Sequence, residues 1–135
     1  MNAVDTNVLI YARDPRHPVK HQKARELTAG MPDGGLLWQV ACEFIAASRK
    51  LTDVGYTQAQ AWGELEQLRR LWQVILPAEN VLLRAERLTA THNLSFWDSL
   101  LVAACIEGGI TRLYTEDFDA SLSKATGIEI INPFL

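Results

Sequence analysis

The sequence predicts an α/β fold of three layers, a mostly parallel central sheet flanked by helices, built as one domain over residues 1–135. Two observations predict it. Short apolar runs that suit buried strands alternate with longer segments of helical period. No internal repeat, low-complexity stretch or Pro/Gly/Ser-rich linker divides the chain.

The elements follow in order. "NAVD" reads as a short buried strand, and "TNVLIYA" starts a helix directly after it. "DPRHP" carries two prolines and breaks that helix. In "VKHQKARELTAG" the side chains of Val19, Ala24, Leu27 and Thr28 share a helical face, and "MPDGG" ends the segment. "GLLW" is a strand and "QVACEFIAASRKL" a helix with Val40, Phe44, Ala47 and Leu51 as its core stripe. Thr57 and Gln60 form a capping box that opens a helix running to about Trp72. "QVILP" is a strand closed by Pro77, and "AENVLLRAERLTATHN" is an amphipathic helix. "SFWDSLLVAACIEGG" opens on Ser95 as N-cap and stops at Gly108 and Gly109. "TRLYTED" is a strand running into a loop, and "GIEIINPF" is the last strand.

Composition excludes several function classes. The longest strongly apolar run, Leu100 to Ile106, is too short to span a bilayer. No basic segment leads into a long apolar run at the N-terminus, so neither a signal peptide nor a membrane partner is expected and a cytoplasmic location is. Cys42 and Cys105 both sit in apolar helical patterns and read as buried free thiols. The net charge of −3 gives no general attraction to nucleic acid, so a polyanionic substrate would have to be held locally. The scattered His17, His21 and His92 do not make a zinc site.

Four carboxylates resist the ordinary reading of a solvated helix face, which suits Glu64, Glu66, Glu86 and Glu107. Asp5 ends an apolar strand; helix capping accounts for a carboxylate there, but not for the polar Thr6 and Asn7 beside it. Glu43 lies at the edge of its helix's core stripe. Asp98 opens a helix that is apolar almost all round, where an inward carboxylate is costly unless paired or metal-bound. Asp117 follows a strand end, and spacing does not tell which of Glu116, Asp117 and Asp119 points inward. A parallel sheet brings such strand ends and helix starts to one edge. Carboxylates gathered there repel, and a divalent cation relieves the repulsion; all-oxygen ligation suits Mg²⁺ or Mn²⁺.

The segments "VDTNVLIYA", "EFIAASRK", "LSFWDSLLVAACIEGGITRLYTEDF" and "IEIINPF" resemble a PIN domain, a Rossmann-like three-layer fold, and more narrowly the VapC-type toxins of bacterial toxin–antitoxin pairs. The resemblance covers nearly the whole chain, and the third segment is its most specific part. It carries the family's four acidic, metal-ligating catalytic positions onto Asp5, Glu43, Asp98 and Asp117, with Thr115 as the Thr of the family's Thr-x-Asp. It implies a Mg²⁺- or Mn²⁺-dependent endoribonuclease in which metal-activated water cuts an RNA phosphodiester. Thr6, Asn7 and Thr115 would then orient carboxylates or water. It also implies a homodimer and a cognate VapB-like antitoxin. Arg13, Arg16, Lys20, Lys23 and Arg25 form a candidate RNA-contacting rim, with a solvated helix face as the plainer reading. Trp38, Trp62, Trp72 and Trp97 read as core or interface.

Two rivals remain. A non-catalytic fold of the same kind that binds RNA or protein is disfavoured by the intact acidic positions. A phosphate-accepting receiver-like domain would need an acidic neighbour for Asp5 and a lysine better placed than Lys124.

Overall fold

The computed structural model describes residues 1–135. Its five strands are β1 (Asn2–Val4), β2 (Gly35–Leu37), β3 (Gln73–Ile75), β4 (Arg112–Tyr114) and β5 (Glu129–Ile131). Its seven α-helices are α1 (Thr6–Tyr11), α2 (Pro18–Gly30), α3 (Trp38–Ala47), α4 (Gln58–Leu71), α5 (Glu79–Thr91), α6 (Phe96–Glu107) and α7 (Leu122–Thr126). Every strand pairing is parallel: β1 with β4, β4 with β5, and β2 with β3. A parallel bridge from Asn2 to Gly34 joins the two ladders, so the strands run in the order β3-β2-β1-β4-β5.

That order positions the site. The chain winds outward from β1 to β3, and α5 and α6, packed on each other, carry it back to β4 on the other side of β1. The winding reverses between β1 and β4, and the crevice beyond the carboxyl ends of such a pair is where parallel sheets take ligands. The two strand ends are level. Ala3 lies opposite Leu113, the Asp5 N–H donates to the Tyr114 carbonyl at 2.9 Å, and the Thr115 N–H donates to the Ile131 carbonyl at 2.9 Å.

Burial explains why three-residue strands suffice. Ala3, Val4, Leu36, Leu37, Leu113 and Ile130 are buried in one apolar cluster with Val8, Val40, Phe44, Val81, Ala85, Val102 and Cys105 from the helices. Strands covered on both faces read as continuous apolar runs rather than alternating ones. The Thr57–Gln60 capping box is formed in both directions at the start of α4.

Several local expectations are corrected. The helix expected through Leu51 changes at Ser48 into a 3₁₀ segment, Ser48–Val54, where the buried Ser48 hydroxyl donates to the Ile45 carbonyl at 2.9 Å and competes with the helical ladder. The short helix α7, stopped by Gly127 at φ 75°, was absent from the sequence reading because five residues carry little periodicity. Cys42 is exposed rather than buried, since α3 buries the Val40–Phe44 face, while Cys105 is buried and both thiols are free. Val19 lies outside the face expected for it and is exposed in the first turn of α2, after Pro18. Only Trp72 of the four tryptophans enters the core. Glu64 is not simply solvated: it pairs with Arg13 and accepts the Tyr56 hydroxyl at 2.6 Å.

Gly34, at the bridge that joins the ladders, faces the Trp72 indole so closely that a Cβ there would lie 2.4 Å from its Cδ1. Gly34→Ala should therefore cost about 1–3 kcal/mol, as overpacking does. In urea unfolding the midpoint should fall with the slope unchanged.

Candidate active site

The site grows out of the single turn that joins β1 to α1. Asp5 is the N-cap of α1, and its Oδ1 accepts the Thr6 N–H at 2.7 Å, so the helix-capping role is real. Its second oxygen does something a cap does not require: Oδ2 accepts the Thr115 hydroxyl at 2.8 Å from the end of β4. The six buried polar or charged residues are Asp5, Thr6, Asp14, Ser48, Ser99 and Thr115, and three of them meet here. Asp14 is settled elsewhere by Arg16, at 2.9 Å.

The two residues after Asp5 reach outward in different directions. The Thr6 hydroxyl donates to Glu43 Oε2 at 3.4 Å, a long contact, and the Asn7 amide donates to Asp117 Oδ2 at 3.0 Å. One buried carboxylate thus has an exposed carboxylate tied on each side of it. The Thr115 hydroxyl also accepts the Asp117 N–H at 3.1 Å, which fixes the start of the loop after β4. The choice left open by spacing is resolved by these contacts: Asp117 joins Asp5, Glu116 turns to Lys20 and Tyr11 (2.9 Å each), and Asp119 caps Ser121 at 2.9 Å.

Asp98 stands apart from this network. It is half-buried rather than enclosed, because it lies in the first turn of α6 beside the exposed Phe96 and Trp97. Its N–H donates to Ser95 Oγ at 3.1 Å, but the reciprocal half of a capping box is not made, so its carboxylate is not taken up by the cap. No group of three or more His, Cys, Asp or Glu side chains is placed so that it could hold a metal ion by itself.

Electrostatics explain what the arrangement lacks. Burial pushes Asp5 up to about 6, opposed by its hydrogen bonds from Thr115 and Thr6 and reinforced by the nearby charges of Asp117 and Glu43. Two amide oxygens, Asn7 Oδ1 and Gln39 Oε1, are buried without a partner while their NH₂ groups face carboxylates. Acceptors and negative charge are in excess, and a cation with bound water would answer both. The donors are all oxygen, which suits a small hard cation. Mg²⁺ commonly binds through one or two carboxylates plus waters rather than in an all-protein cage, so the open arrangement fits it.

The basic rim is largely paired within the protein. Arg13 pairs with Glu64, Arg16 with Asp14, and Lys20 with Glu116; Lys23 donates to the Phe134 carbonyl at 3.5 Å, and Arg25 is exposed. Gln39 is the polar residue that sequence reading missed. It donates to Glu43 Oε1 at 2.6 Å and to the Trp97 carbonyl at 3.1 Å. Its position four residues before Glu43 on one helix face was the only available signal.

The PIN domain profile matches residues 3–127. The chain belongs to the PIN domain family. Solved structures share the fold of this PIN domain. VapC20 of Mycobacterium tuberculosis, a sarcin-ricin-loop-cleaving toxin, aligns with TM-score 0.68 and 18% identity over 96% of this chain and 98% of that one. A toxin–antitoxin complex from Klebsiella pneumoniae aligns with TM-score 0.68 and 17% identity over 98% of each chain. VapBC2 of Rickettsia felis, bound to a DNA fragment from its promoter, aligns with TM-score 0.66 and 14% identity over 97% of each. At these identities the likeness is one of fold. No curated protein matches the chain. No helix of this PIN domain is long and apolar enough to cross a membrane.

A raised carboxylate has a defined signature in stability. The folded value of Asp5, about 6, exceeds the unfolded 3.8, so the penalty is full above pH 6 and vanishes below about pH 4. Asp5→Asn should therefore stabilise the metal-free protein at pH 7.5 by an amount on the order of 2 kcal/mol, seen as a higher melting temperature. The gain should shrink as pH falls through 6 toward 4, in thermal scans across that range.

Proposed function

We propose that this PIN domain is a Mg²⁺- or Mn²⁺-dependent endoribonuclease and the toxin of a type II toxin–antitoxin pair. One observation carries the proposal: a buried carboxylate, Asp5, sits at the switch point of the sheet with Glu43 and Asp117 tied to either side of it through Thr6 and Asn7. The alternative of a non-catalytic RNA- or protein-binding domain gives no reason to bury a carboxylate beside two others.

In this reading Asp5, Glu43, Asp98 and Asp117 hold the cation. When bound, it supplies a water of lowered pKa and neutralises charge building on the phosphate. The chain's own part is to aim and hold. Thr115 fixes Asp5 by its hydroxyl, and the same oxygen receives the Asp117 N–H, so one side chain sets both ligands. Thr6 and Asn7 orient Glu43 and Asp117 by hydrogen bonds. The wall of β1, β4 and α6 behind Asp5 is apolar and excludes water from that side.

RNA is the proposed substrate, and specificity for it would lie in loop shape and rim contacts. Of the rim residues, Lys20 is the one beside the Glu116–Asp117 loop. The K. pneumoniae and R. felis structures are toxin–antitoxin assemblies, which supports a VapB-like antitoxin as partner here. A second copy of the chain is the other partner in this reading. The exposed indoles of Trp38, Trp62 and Trp97 are apolar surface available to such partners. A cytoplasmic location follows from the same reading.

Asp98→Asn and Asp5→Asn should each abolish Mn²⁺-dependent cleavage of RNA while leaving the circular dichroism spectrum unchanged, and Asp5→Asn should relieve growth arrest on expression without antitoxin. Variants that cut as well as the parent would overturn the site. A parent that binds RNA without cutting it would favour the non-catalytic alternative. Arg25→Gln, which removes an exposed rim charge that faces no acidic partner, should raise KM for RNA and reduce the salt slope by about one, with kcat little changed. Arg16→Gln, whose charge already faces Asp14, should leave both near the parent's values.

A further inference from the structure

We propose that Gln39 is a positioning residue that holds Glu43 and the entry to Asp98 in one arrangement, an inference that rests on the function proposed above. Glu43 and Asp98 lie on different helices, and no hydrogen bond joins their side chains directly. Gln39 spans the gap with a single NH₂ group, donating to Glu43 Oε1 at 2.6 Å and to the Trp97 carbonyl at 3.1 Å.

Both partners of that group are pure acceptors, so only the nitrogen of the amide can face them, and the orientation of Gln39 is determined by chemistry. The Trp97 carbonyl belongs to the peptide whose N–H is that of Asp98. That N–H donates to Ser95 Oγ at 3.1 Å, so the peptide is held at both ends, by Gln39 on one side and the helix cap on the other. Glu43 is likewise held at both oxygens, Oε1 by Gln39 and Oε2 by Thr6. Gln39 Oε1 is left buried without a partner, an arrangement that helix stability alone does not call for. Asn7 repeats the pattern at Asp117: its NH₂ on the carboxylate and its Oδ1 buried and unpartnered. Two amides thus act as matching clamps on the two exposed carboxylates that flank Asp5.

The test compares the full chain with Gln39→Met, which keeps the length and loses the donor, and Gln39→Leu, which loses the donor in a shorter side chain. Two readouts follow Mn²⁺: the rise in melting temperature and the rate of RNA cleavage. The half-saturating Mn²⁺ concentration should rise about 10–100-fold in both readouts, as for partners that orient metal ligands. The metal-free melting temperature of Gln39→Met should stay within about 3 °C of the parent, and KM for RNA at saturating Mn²⁺ should be unchanged. Variants whose Mn²⁺ half-saturation matches the parent's, whether or not their metal-free melting moves, would overturn the inference and leave the proposed function standing. A parent that neither cleaves RNA nor is stabilised by Mn²⁺ would overturn both.

Discussion

The hydrogen bond from the Thr115 hydroxyl to Asp5 Oδ2, 2.8 Å long and buried, is the contact on which the rest of the site depends. It joins the ends of two strands that are 110 residues apart in sequence. It exists because β1 and β4 are parallel neighbours in level register. Their ends therefore point the same way into the crevice where the winding of the sheet reverses. The bond also ranks the carboxylates. Asp5 is fixed and desolvated, and Glu43 and Asp117 are exposed and held only by side-chain contacts.

This division of labour is physically coherent. Burying one carboxylate is costly, and the structure limits that cost with two hydrogen bonds and keeps the remaining negative charge near solvent. Thr6 and Asn7, which sit awkwardly in an apolar segment when seen as sequence, are the arms that carry order from Asp5 outward to Glu43 and Asp117. The polar interruption in "AVDTNVLIYARD" is thus a small hub. The Lys20–Glu116–Tyr11 cluster supports the hub from the other side, because it anchors the residue next to Asp117.

Much of the fold was legible because its signals are local. The Thr57–Gln60 box, the proline-bearing break after α1, the apolar run of α6 and the strand-length apolar segments each depend on a few adjacent residues. The failures have physical reasons too. The change to 3₁₀ geometry at Ser48 comes from a side chain competing with the backbone, and the exposure of Cys42 and Val19 comes from which face of a helix meets the sheet. The rim residues Arg13, Arg16 and Lys20 looked like a phosphate surface in sequence, yet each has an acidic partner brought to it or beside it by the chain's own folding.

The sequence by itself determined the class of fold, the order of its elements and a short set of acidic residues, since propensity, capping and apolar period are written along the chain. Only the tertiary structure decided which acidic residues meet. Spacing could not separate Glu116, Asp117 and Asp119, because their directions depend on Lys20, Tyr11, Asn7 and Ser121, none of which is their neighbour in the core-facing pattern of β4. Nor could it find Gln39, whose meaning lies in a 3.1 Å contact with a carbonyl 58 residues away. A parallel sheet gathers residues at its edge through long crossovers, and a hydrogen bond across such a crossover leaves no period in the sequence that makes it.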